Sequence, residues 1–212
     1  MVWSEELDLS QFLVAGAPFG GPIALVKDTR SRLVVVRPQG GDDKSLLYIF
    51  SSSGCPLASI KWNYKVVSMN WSADERLVCV LDDGNVLILS MDGELLNTFS
   101  LGSTFASDKV GDCFIWPNGL VARTAQSYKF VAITNFDQPR VFHLPEIELE
   151  RPPRCISVVE LPATNAKGIS SIQIMVSLAD GRVLTLNDAQ WEELVLFLHF
   201  KAFFLRFCRI LL

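Results

Sequence analysis

Histidine, cysteine and clustered carboxylates are where bond-making chemistry would show first, and this 212-residue chain holds few of them in useful patterns. Its only histidines are His143 and His199. A zinc site needs three or four ligands at suitable spacing. His143 stands in VFHLPEIELE beside Glu146, Glu148 and Glu150, a run that reads as a solvated acidic loop rather than a ligand set. The five cysteines, Cys55, Cys79, Cys113, Cys155 and Cys208, contain no CxxC pair, so they are read as buried reduced thiols of a cytosolic protein. A Ser/His/Asp or Cys/His nucleophile lacks its material, and no GxSxG elbow occurs. The pairs Asp42/Asp43 and Asp82/Asp83 lie in turn-like strings, where aspartate serves the backbone rather than proton transfer. No catalytic, cofactor-binding or metal-ligating residue is assigned, no cofactor is expected, and the protein is read as non-enzymatic.

The glycine-rich string Ala15-Gly-Ala-Pro-Phe-Gly-Gly-Pro22 invites a phosphate-binding reading. A P-loop needs GxxxxGK[ST], and a dinucleotide fingerprint needs GxGxxG opening a helix. Here two prolines interrupt and a strand pattern follows, so the string reads as a tight turn entering Ile23–Val26. Trp62, Trp71 and Trp116 occupy strand-like positions, where packing in a core or between sheets is the default and an interaction hot spot the alternative. The net charge of −4, without any Lys/Arg-rich run, argues against a general nucleic-acid binder and against an electrostatic membrane patch.

The elements that would position these residues are short strands. Ile23–Val26, Leu33–Val36, Leu46–Phe50, Leu57–Trp62, Val66–Trp71, Leu77–Leu81 and Val86–Ser90 are apolar, β-branched or aromatic runs of single-strand length. Leu95–Leu101, Asp112–Trp116, Leu120–Thr124, Lys129–Thr134, Arg140–Leu144, Ile156–Leu161, Ser171–Leu178 and Val183–Asn187 continue the series. Asp-Gly and Asn-Gly turns recur between them, the clearest in LVCVLDDGNVLILSMDGELLNTFSL. Together these predict an all-β fold: a sandwich, a barrel or a propeller. A weak repeat favours the propeller. Val67–Trp71, Asp112–Trp116 and Cys155–Leu161 each open a similar unit at intervals of about 45 residues, the span of a four-stranded blade.

The C-terminal stretch from Leu194 to Leu212 is strongly apolar but carries His199, Lys201, Arg206 and Arg209. Basic groups at a bilayer centre cost about 3 kcal/mol each, which favours a helix lying on a surface or a tail foreign to the fold over a membrane span. The N-terminus, MVWSEELDLS, lacks the apolar core of a secretory signal.

Several strings go further. LVAGAPFGGPIALVKD (13–28), SLLYIFSSSGCPLASIKW (45–62) and VVSMNWSADERLVCVLDDGNVLILSMDGEL (66–95) resemble, in order, the opening of the vacuolar protein sorting 16 family. VGDCFIWPNGLVA and NFDQPRVFHLPEIELERPPRCISVVE resemble its plant-type members. The resemblance runs over residues 9–188. It implies an incomplete β-propeller of about three to four blades over 9–188, an N-terminal segment at 1–8, and an apolar, helical tail over 189–212 unrelated to the family. It also implies a scaffold subunit of the HOPS and CORVET tethering complexes, cytoplasmic and peripheral to late endosome and vacuole or lysosome membranes. The implied partners are other tethering subunits and, through the complex, Rab GTPase machinery. The Sec1/Munc18-type subunit would bind a C-terminal α-solenoid that this chain lacks. The early stop suggests a truncated gene product or splice form, with exposed strand edges and poor solubility. The alternative function is a generic WD-like or coatomer-like propeller adaptor binding peptides or protein partners.

Overall fold

The computed structural model describes residues 8–29, 45–147, 149–161, 172–187 and 190–194. Within them, consecutive strands build four antiparallel four-stranded sheets. The first holds β1 (Phe12–Gly16), β2 (Ile23–Lys27), β3 (Leu46–Phe50) and β4 (Pro56–Lys61). The second holds β5 (Val66–Trp71), β6 (Leu77–Leu81), β7 (Asn85–Leu89) and β8 (Leu95–Ser100). The third holds β9 (Val110–Trp116), β10 (Gly119–Thr124), β11 (Phe130–Ile133) and β12 (Phe142–His143). The fourth holds β13 (Cys155–Glu160), β14 (Ile172–Ser177), β15 (Val183–Asn187) and β16 (Gln190–Glu193). The first strands β1, β5, β9 and β13 touch one another in chain order. That is the geometry of propeller blades ranged about an axis, each sheet built from one continuous piece of chain.

Alternation along the strands explains why the blades stack. Successive side chains point to opposite faces of a sheet, so one strand can serve two interfaces. In β6, Leu77, Cys79 and Leu81 pack toward the first blade, while Val78 and Val80 pack toward the third. In β7, Leu87 and Leu89 go one way and Val86 and Ile88 the other. β10 and β11 repeat the device: Leu120, Ala122, Val131 and Ile133 meet the second blade, whereas Val121, Phe130 and Ala132 meet Ile156, Ile174 and Val176 of the fourth. Each such Val, Leu or Ile contributes about 1.5–3 kcal/mol when fully buried. This two-sided burial makes the middle strands continuous apolar runs. The outermost strands β4 and β8 are mostly solvent-facing instead.

At the ends of the array the outward faces are partly open. Val14 and Leu57 of the first blade are 47% and 43% exposed, and Val159 of the fourth is 45% exposed.

A single α-helix interrupts the strands among the described residues. α1 (Ser103–Asp108) links β8 to β9 and drives Phe105 into the core between the second and third blades. Asp108, its last residue, accepts hydrogen bonds from the Gln126 and Ser127 amides and from the Ser127 hydroxyl. Desolvation pushes its carboxyl upward, but the Ser127 hydroxyl and the two amides outweigh it and hold the group below the usual carboxylate range. A carboxylate whose pKa is lower in the folded state stabilises the fold above the ordinary carboxylate pKa and loses that contribution as pH falls through the folded value. Asp108→Asn should therefore flatten the acid limb of thermal stability below about pH 4. Melting curves of the two proteins across that window check it.

The tail expectation needs correction where it meets described residues. Gln190–Glu193 is strand β16, paired antiparallel with β15 from Leu184↔Glu193 to Asn187↔Gln190. The fourth blade takes this segment because β15 offers it a free edge, which the apolar pattern after it conceals. Residues 195–212 lie outside the described residues, as do 1–7 and the expected strand Leu33–Val36. β2 pairs directly with β3. Among the described residues no helix is long and apolar enough to cross a membrane.

Candidate interaction face

The hairpin turns at one end of the blades gather into a single rim. Inner-strand ends place them there. The Trp71 indole N–H, at the end of β5, donates to the Ala15 carbonyl of β1 at 3.0 Å. The Asn70 side-chain amide donates to the Ile115 carbonyl of β9 at 3.0 Å. The Trp116 indole N–H and the Asn118 amide both donate to the Glu160 carboxylate of β13, at 3.0 and 2.7 Å. The Ala73 amide reaches the Pro117 carbonyl at 2.9 Å, and Arg76 Nη2 reaches Asp137 Oδ1 at 2.7 Å. Adjacent blades are thus stitched together at this end by bonds that only their juxtaposition makes available.

Three turns of the rim share one design. The amides of Ser51, Ser72 and Ser90 donate to the carbonyls of Cys55, Arg76 and Glu94 at 2.8–2.9 Å. Each serine Oγ in turn accepts from the amide of that same residue, at 3.0–3.1 Å. The turn requires a left-handed residue just before its end. Gly54 and Gly93 supply it at φ of 83° and 81°, but the middle turn has Glu75 at φ 56°. An L-residue with a Cβ in this region costs about 1–2 kcal/mol, partly offset by the flexibility glycine adds to the unfolded chain. Glu75→Gly is therefore expected to raise stability by about 1 kcal/mol, read as a higher urea midpoint at unchanged slope.

Beside Glu75 the same turn carries Asp74 and Arg76. Arg76 Nε meets Asp74 Oδ2 at 2.6 Å. Desolvation opposes the ionised Asp74, yet the Ser72 hydroxyl and Arg76 outweigh it and hold its carboxyl below the usual range. Desolvation likewise opposes charge on Arg76, and its two aspartate partners raise its pKa nonetheless.

The glycine-rich string forms the β1–β2 connection, as its composition predicts. The Ala17 amide donates to the Pro22 carbonyl at 2.8 Å and closes the loop. At its tip the Gly21 amide turns back toward the Pro18 carbonyl at 3.4 Å. The two central residues, Phe19 at φ 60° and ψ 26° and Gly20 at φ 82°, are both left-handed, the signature of a type I′ turn. Phe19 is completely exposed. The loop leans on the neighbouring turn: a Cβ at Gly21 would stand 2.6 Å from Glu75 Oε1.

The remaining residues singled out by type have structural roles. Trp62, Trp71 and Trp116 are buried at blade interfaces. His143 is an exposed residue of β12, and Glu146 pairs with Lys129 at 3.0 Å. Asp83 caps its own turn through the Asn85 amide at 3.0 Å, and Asp82 faces Lys109 at 3.6 Å. Asp42, Asp43 and Glu148 lie outside the described residues. The cysteine expectation holds in part. Cys79 and Cys113 are buried and their thiols are pushed well above the ordinary range by desolvation. Cys55 is exposed and Cys155 half-buried, because they flank strands at a turn and at an inner-strand start, and Cys208 lies outside the described residues. Among the described residues no three His, Cys, Asp or Glu side chains are grouped to hold a metal ion.

Comparison with known proteins places the chain. A profile of the family described as "Vps16, N-terminal region" matches residues 1–192, which takes in the N-terminal segment and all but the last residue of β16. The vacuolar protein sorting-associated protein 16 homolog of Dictyostelium discoideum is 35% identical over 199 residues, 91% of this chain and 23% of that protein. Protein VACUOLELESS1 of Arabidopsis thaliana is 31% identical over 186 residues, 83% of this chain and 21% of that protein. The chain thus spans under a quarter of the length of these relatives. In fold it is similar to the Dos1 propeller, with a TM-score of 0.56 at 14% identity over 87% of this chain and 50% of that one. Saccharomyces cerevisiae Sqt1 is similar as well, with a TM-score of 0.54 at 10% identity over 84% of this chain and 45% of that one. A family match over nearly the whole chain, on strands arranged as propeller blades, means that this protein belongs to the Vps16 N-terminal-region family.

Proposed function

We propose that the chain is a non-enzymatic docking module of a HOPS- or CORVET-like membrane-tethering complex, acting in intracellular protein transport and vesicle fusion at late endosome and vacuole or lysosome membranes. The observation that carries this reading is the family match over residues 1–192 together with relatives named for vacuolar protein sorting. The geometry is consistent with it. Among the described residues, Trp71, Trp116, Glu160, Arg76 and Asp137 serve blade-to-blade bonds, and the hairpin turns at that end form a rim of loops carried on a rigid scaffold, the usual place for binding. The module would bind other tethering subunits directly, meet Rab GTPase machinery through the assembled complex, and remain cytoplasmic and peripheral to the membrane. Sec1/Munc18-type binding belongs to a solenoid outside this chain. The test is affinity isolation of the full-length protein from cells, followed by quantitation of co-purifying proteins. Stoichiometric recovery of the other tethering subunits is the expected result, and recovery of a monomer without them would overturn the proposal.

A further inference from the structure

The β1–β2 loop spends stability in two ways at one residue. Phe19 occupies the first central position of a type I′ turn, where asparagine, aspartate and glycine are favoured and a bulky side chain is a conformational outlier. It also exposes its whole ring to water. Neither cost is offset by any packing of the ring, so the fold gives no reason for a phenylalanine there. The loop is nevertheless held rigid, by Pro18 and Pro22, by the Ala17-to-Pro22 hydrogen bond, and by Glu75 lying against Gly21. Strained, exposed and preorganised aromatic residues are suited to binding, because little entropy remains to be lost when a partner closes over them.

We infer that Phe19 is a preformed knob that docks in an apolar, basic-rimmed pocket of a neighbouring protein subunit. The partner's chemistry follows from the surroundings. The adjoining turn and its ion-paired neighbour bring together Asp74, Glu75 and Asp137 against the single cation Arg76, so the base of the knob is acidic. Such a base repels the anionic surface of a cytoplasmic membrane leaflet, and it complements lysine or arginine at the mouth of a protein pocket. The identity of the neighbour as a tethering subunit rests on the function proposed above.

The experiment uses the full-length protein in its isolated complex, with p-benzoylphenylalanine at position 19 for photo-cross-linking and with Phe19→Asn and Glu75→Lys as variants. The expected adduct is with one subunit, at apolar residues flanked by Lys or Arg. Phe19→Asn should melt at or above the temperature of the parent while binding that subunit at least about tenfold more weakly. Glu75→Lys should weaken the same binding. The knob is overturned if the complex assembles but position 19 forms no protein adduct or reacts only with lipid. It is also overturned if Phe19→Asn binds within twofold of the parent or lowers the melting temperature. If the protein co-purifies with no tethering subunit, the functional reading fails. In that sample an adduct at a basic-rimmed apolar site of another protein still supports the knob, and absence of an adduct overturns it.

Discussion

Trp71→Ala should destabilise the protein by about 3–5 kcal/mol, the range for emptying a large aromatic site in a packed interior. Trp71 ends β5, is 1% exposed, and lies in the cluster that joins the first blade to the second and that also holds Leu77, Ala24 and Ile49. Its indole N–H also donates to the Ala15 carbonyl at 3.0 Å, a carbonyl that sits opposite Ala24 in the β1–β2 ladder, so the change leaves a cavity and removes one hydrogen bond between the blades. Trp71→Phe separates the two effects. It retains most of the apolar volume but loses the donor, and about 0.5–1.5 kcal/mol is expected for the one hydrogen bond removed. Urea unfolding followed by fluorescence measures both variants. Equal, small losses for the two would show that the blade interface does not depend on this residue.

Gly84→Ala should cost about 2–4 kcal/mol, by backbone strain and overpacking together. Gly84 closes the β6–β7 turn at φ 85°, and a Cβ there would stand 2.5 Å from the Phe105 Cβ of α1. The fourth blade contains its own control. Leu81-Asp-Asp-Gly-Asn85 and Leu178-Ala-Asp-Gly-Arg182 are the same turn: Gly84 and Gly181 each donate to the leucine carbonyl three residues back, and Asp83 and Asp180 each cap the amide two residues on. Gly181 has φ 90° but open space around it. Gly181→Ala should therefore cost only the strain, about 1 kcal/mol. The difference between the two variants, read as a difference in melting temperature, isolates the contact with Phe105.

The blades were largely legible because local sequence decides them. Each sheet is continuous in the chain, so a run of Val, Ile and Leu bounded by Asp-Gly or Ser-x-x-Gly marks a strand and its turn together, as at Leu77–Leu89. β1 was hidden because Phe12–Gly16 ends in the glycine-rich string, whose composition signals a turn before a strand. β16 was hidden because Gln190–Glu193 has no apolar alternation and exists through pairing with β15. α1 is too short for a helical period to appear. The rim was not legible at all. The Trp71–Ala15 and Arg76–Asp137 bonds join residues from different blades, and nothing local to either residue names its partner. Pro-Phe-Gly-Gly signals a turn, but only the backbone reveals that phenylalanine, rather than glycine, takes the first left-handed position.

Hydrogen exchange across the whole chain tests the central claim, that sheets made from consecutive strands stack face to face about their first strands. The slowest amides should fall in β6, β7, β10 and β11, whose side chains are buried on both faces, and β4 and β8 should exchange far sooner. Uniform protection of inner and outer strands, or strongest protection in β4 and β8, would contradict a radial stack of blades.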